Sequence, residues 1–134
     1  MNKRELNLKK YGISGKRYKE LCGFCEQYPE WVEELKSYSY LGFRENDGMP
    51  KNPNLGKDTT SETAIRIEKL LSRVNLVEET AKVTDKDMWE FLIKGVCYNV
   101  PISYLQTQEG MGLSRSSFYE RRRYFFYLLD KKKG

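Results

Sequence analysis

The stretch SRSSFYERRRYFFYLLDKKKG, Ser114 to Gly134, sets four arginines and three lysines among serines and aromatics at helical density. A guanidinium fork meets a phosphate, a carboxylate or the O6/N7 edge of guanine with two parallel hydrogen bonds. Serine hydroxyls and the unpaired N–H groups of a helix's first turn suit oxyanions. With Ser114 as N-cap, a helix through RSSFYERRRYFFYLL turns Phe118 inward toward Leu105 and Leu113. Arg115, Ser116, Tyr119 and Arg123 then present their polar ends outward, where base edges could be read. Ser114, Ser117, Arg121, Arg122, Lys131, Lys132 and Lys133 are placed for phosphates, whose attraction does not depend on sequence. A solvated charged face is the plainer reading of such an arginine run. The apolar end, Tyr124 to Leu129, requires burial in its own domain or in a homodimer interface.

Other chemistries find fewer means. The chain has no histidine, so the commonest general base is missing, and it shows no Gly-rich phosphate loop. Catalysis is not expected, and no catalytic residue or cofactor is assigned. CGFC, Cys22 to Cys25, suggests zinc or redox work, but Cys97 is the only further cysteine and a closed zinc site needs four N/S ligands. Both sulfurs of CGFC fall on an apolar helical stripe, so the thiols read as small core residues and no metal site is assigned.

The net charge of +5 is unevenly spread: residues 1–20 and residues 111–134 each carry seven Lys/Arg against two acids, leaving the middle at −5. Basic character confined to two tips favours a polyanionic partner. No apolar run approaches the length of a membrane span, and MNKRELNLKKYG has no secretory apolar stretch. With three cysteines and no disulfide framework, a cytoplasmic protein of a bacterial host, without membrane association, is the expectation.

The elements that must position these residues read as helices throughout. Ser14 is the expected N-cap in KKYGISGKRYKELCGFCEQY, whose stripe runs Tyr18, Leu21, Cys22, Cys25, Tyr28. PEWVEELKSY follows with Trp31, Val32 and Leu35 inward, completing an N-terminal hairpin over 1–41. Residues 42–58 lose periodicity and read as a loop or hinge. Thr59 to Thr84 forms the longest helix, with Ile67, Leu71, Val74, Val77 and Ala81 on one face. Thr84-Asp85-Lys86-Asp87 resembles a further N-cap region before a helix carrying Met88, Phe91, Leu92, Gly95 and Val96. Pro101 ends that helix and a short one starts at Ile102. The expected fold is all-α: a small helical domain, 59–134, with a C-terminal helix-turn-helix over about 85–130. In it ISYLQTQEG is the positioning helix and GMGL the turn.

GLSRSSFYERRRYFFYLL resembles the recognition segment of phage and prophage transcriptional regulators of the ArpU and RinA type, related in outline to region 4 of sigma factors. KYGISGKRYKELCGFCEQYPEWVEEL and ETAIRIEKLLSRVNLVEETA are similar to the helical body of such proteins. The resemblance implies double-stranded DNA as partner and regulation of phage genes, with RNA polymerase as a possible host contact. Arg121 departs from it, standing where such helices carry an apolar residue, so its side chain must snorkel. Two other classes fit the charge pattern. An anti-CRISPR-like inhibitor would use the acidic middle, Glu30, Glu33 and Glu34, against a host nuclease complex. A protein like a terminase small subunit would form a DNA-binding ring.

Overall fold

Two serines open helices by the same local chemistry. Ser14 Oγ accepts the N–H of Arg17 at 3.1 Å, and Ser114 Oγ accepts that of Ser117 at 3.2 Å. Each serine has an extended backbone that turns the chain into its helix, and each such cap stabilises by about 1 kcal/mol. The computed structural model describes residues 11–40 and 56–134, and the side chains of 11–38 and 61–134. Among them the regular elements are six helices: α1 (Gly15–Glu26), α2 (Tyr28–Tyr40), α3 (Gly56–Thr84), α4 (Trp89–Cys97), α5 (Ile102–Thr107) and α6 (Arg115–Lys133). The fold is all-α, as the period-3.6 patterning requires.

The chain divides into two units, and the division does not follow chain order. One takes the residues up to Gln27 together with Leu76–Gly134, and the other takes Tyr28–Asn75. The boundary falls between the two arms of the expected hairpin, α1 and α2. It also cuts α3, so that one helix supplies both units.

In the first unit α1, α4 and α6 pack against one another. Leu21 and Cys25 of α1, Leu92, Val96 and Cys97 of α4, and Phe125, Phe126 and Leu129 of α6 are buried. The apolar end of α6 is thus satisfied within its own unit; burying each such side chain is worth roughly 1.5–3 kcal/mol. Thr80 is fully buried as well. Its hydroxyl donates to the Leu76 carbonyl at 2.6 Å, which removes the cost of an unpaired polar group.

In the second unit Trp31 and Leu35 of α2 and Ile67, Leu70 and Val74 of α3 are buried. Leu70, not Leu71, is fully buried, while Leu71 is half-buried. Both lie three or four residues from Ile67 and Val74, so spacing alone does not choose between them. Arg66 clamps the two helices by donating from Nε and Nη2 to Glu34 at 2.7 and 2.8 Å.

Three boundaries differ from the sequence reading. Helix α3 already begins at Gly56, so the end of the expected loop is helical; residues 42–55 lie outside the described residues. Thr84 closes α3, and it is Asp85 that caps the next turn, accepting the N–H groups of Asp87 and Met88 at 3.0 and 3.1 Å. Helix α4 stops at Cys97, four residues before Pro101. Asn99 there takes φ +55 and turns the chain into Pro101, the N-cap of α5.

Candidate nucleic-acid interface

The start of α6 is fixed by its inner side. Phe118 is 2% exposed and sits in one cluster with Leu92, Ile102, Leu105 and Met111, with Leu113 packed against it. This is the inward packing expected of Phe118. Gly95 makes it possible, since a Cβ there would meet Phe118 Cζ at 2.6 Å. The segment between α5 and α6 is tied down polar group by polar group. Gly110 takes φ +69, the Met111 N–H donates to the Leu105 carbonyl at 2.9 Å, and Gln106 Nε2 donates to the Leu113 carbonyl at 2.9 Å. Lys94 of α4 pairs with Glu109 ahead of the glycine.

On the outer side Arg115 and Ser116 are exposed, and Tyr119 and Arg123 are half-buried. No acid occupies the first turn of α6. The hydroxyls there form a cluster, with Ser114 Oγ 3.3 Å from Ser116 Oγ and 3.0 Å from Ser117 Oγ. Such an end, with free N–H groups, hydroxyls and a guanidinium, can accept an oxyanion.

The remaining cations divide into two groups. Arg121 points back into the unit, its Nε 2.5 Å from Asp85 Oδ2 and its Nη1 donating to the Ser117 carbonyl at 3.2 Å. Arg122 donates from Nη1 to the Tyr18 phenol oxygen at 2.6 Å and lies over the Tyr18 and Phe126 rings at 5.6 and 5.3 Å. Lys131, Lys132 and Lys133 are exposed, with Lys131 over Tyr127 at 4.9 Å and Lys133 over Phe24 at 3.7 Å. The far end of α6 is held to α1 by Arg17, whose Nε lies 2.5 Å from Asp130 Oδ1. Of the first basic tip, Lys3 to Lys10 lie outside the described residues, and Lys16 and Lys19 are exposed.

The acids offered for a protein partner are unequal. Glu30 and Glu33 are exposed, whereas Arg66 binds the Glu34 carboxylate and holds it below the usual range. The three cysteines are free thiols. Cys25 and Cys97 are buried against each other; the bond to Cys97, then burial, pushes Cys25 well up, as burial does for Cys22. Cys25 and Cys97 are core residues and Cys22 is half-buried, and among the described residues no group of three or more His, Cys, Asp or Glu is placed to hold a metal ion. Among the described residues, too, no helix is long and apolar enough to cross a membrane.

Three residues that matter to this surface carried little sequence signal. Asp85 and Tyr18 act on arginines far along the chain. Asn99 had one sign, an Asn two residues before a proline, the residue type after Gly that best tolerates the left-handed region. Compared with known proteins, the chain matches no family model, no curated protein and no solved structure.

Proposed function

We propose that the chain is a DNA-binding protein, a phage-type transcriptional regulator, in which α5, the Gly110 turn and α6 act as a helix-turn-helix. The observation that carries this reading is the start of α6: serine-capped, free of acids and exposed at Arg115 and Ser116, on a helix anchored through Phe118. Arg115, Ser116, Tyr119 and Arg123 stand nearest the bases in this reading. Ser114, Ser117 and Lys131 to Lys133 take phosphates, and Arg121 and Arg122 chiefly hold the helix in its unit. A reader of this kind works without catalysis or cofactor, in the cytoplasm of a bacterial host.

Selection from a pool of random duplexes across a salt series tests it. One enriched motif, with affinity falling steeply as salt rises, is the expected result. Weak binding without enrichment overturns the reading and shifts the weight to a protein partner.

A further inference from the structure

No carboxylate among the described residues pairs with Arg122. Among the described residues the ion pairs occupy Arg17, Arg66, Lys94 and Arg121, and Arg122 has only a phenol and two rings as partners. Burial pushes the Tyr18 phenol up to about 12, so at neutral pH it keeps its proton and does not neutralise the guanidinium. A half-buried guanidinium with N–H groups to spare, held by one hydrogen bond and lying over two aromatic rings, is a preformed oxyanion receptor.

Arg122 also borders open space. A half-open cleft of about 290 Å³ in the first unit is lined by Tyr18, Asn99, Pro101, Phe118, Tyr119 and Arg122. The volume is near the lower end of small-molecule sites and leaves a bare phosphate or carboxylate ion loosely held. Two rings, Tyr119 and Pro101, line the cleft beside the polar groups. Asn99 adds a side-chain amide, already 3.2 Å from Glu26 Oε2, and holds it on a backbone at φ +55. That backbone is the left-handed stop that follows the C-cap Tyr98 of α4, so the position of Asn99 beside the cleft is set by the end of the helix.

We propose that this cleft binds a small molecule joining a flat ring to an oxyanion, with Arg122 receiving the oxyanion, Asn99 donating its amide to a ring or oxyanion acceptor, and Tyr119 and Pro101 covering the ring. The site shares Tyr119 with the proposed DNA surface but rests on Arg122 and Asn99, so it stands whether or not α6 reads duplexes.

The test titrates AMP and benzoate, each a ring with an oxyanion, into the full chain and follows the backbone amides of Asn99 and Ile102 by NMR. Adenosine and inorganic phosphate serve as the two halves. Saturable shifts at both amides with AMP or benzoate, tighter than with either half, are expected. Asn99→Gly suits the left-handed backbone and keeps the fold while removing the amide, and Arg122→Lys keeps the charge while removing the fork. Each should weaken binding, Arg122→Lys by roughly tenfold or more. Equal affinity for phosphate alone would reduce the cleft to a bare anion site and overturn the proposal. So would equal affinity for adenosine, no saturable shift with either probe, or unchanged affinity in both variants.

Discussion

Arg121 reaches from α6 to Asp85, setting its Nε 2.5 Å from Oδ2, while the other oxygen of the same carboxylate accepts the N–H groups of Asp87 and Met88. One side chain therefore caps the turn before α4 and anchors α6. The Arg121 side chain is half-buried, and its fork ends on an acid that is itself largely covered. Burial would raise the Asp85 carboxyl, but the Arg121 bond and the two backbone N–H groups outweigh it and hold the carboxyl below its ordinary value.

Asp85→Asn keeps an oxygen for the turn and removes the charge and the acceptor that face Arg121. It should lower stability at neutral pH by about 1 kcal/mol, discounted because Arg121 remains partly exposed. A carboxyl with a lowered folded pKa contributes its stability above the unfolded value, near pH 4, and loses it as pH falls through the folded value. Urea unfolding of both proteins should therefore show a gap at pH 7 that closes below about pH 4. A gap that persists in acid would place the effect outside the ion pair.

Gly95 and Gly23 predict opposite outcomes for one substitution. Gly23 lies within α1 with nothing within 4 Å of an added Cβ, so Gly23→Ala should stabilise by roughly 0.5–1 kcal/mol. At Gly95 the added Cβ would meet the buried Phe118 ring at 2.6 Å. Gly95→Ala should destabilise by about 1–3 kcal/mol, against the usual helix preference. Thermal melts of the two variants check the sign; if both stabilise, the close approach of α4 to α6 is wrong.

Tyr18 carries an alkaline prediction. Its folded pKa is raised to about 12, chiefly by burial. The stability this contributes is present below about pH 10 and lost as pH rises through the folded value. In an alkaline titration the Tyr18 ring resonances should shift near pH 12, and Tyr18→Phe should remove that step. A Tyr18 transition near pH 10 would show that the phenol is not buried against Phe126 and Arg122 of α6.

What the sequence made legible was local. Ser14 and Ser114 were readable as caps because a cap is decided by three or four residues, and Phe118 with Leu105 because a helical face and a glycine turn constrain each other. The partners of the arginines were not readable. Arg122 and Tyr18 stand 104 residues apart and Arg121 and Asp85 stand 36 apart, and like-typed acids and phenols elsewhere fit the composition equally well. The unit boundary at Gln27 and Tyr28 was hidden for a related reason. Amphipathic stripes say that a face is buried, not against which helix.

The division of the α6 cations makes the DNA reading specific enough to fail. Arg115 is exposed at the capped end, so Arg115→Ala should relax preference at one base pair by about 1–3 kcal/mol and leave the other positions as they are. Lys132 is exposed at the far end, so Lys132→Ala should weaken binding alike on all duplexes and lower the salt slope by about 1. Arg121 is spent on Asp85, and Arg121→Met should cost stability while leaving the salt slope of the folded protein nearly unchanged. Fluorescence anisotropy on matched and mismatched duplexes at several salt concentrations separates the three. If Arg121→Met lowers the slope as Lys132→Ala does, the ion pair opens on DNA and Arg121 belongs with the phosphate contacts.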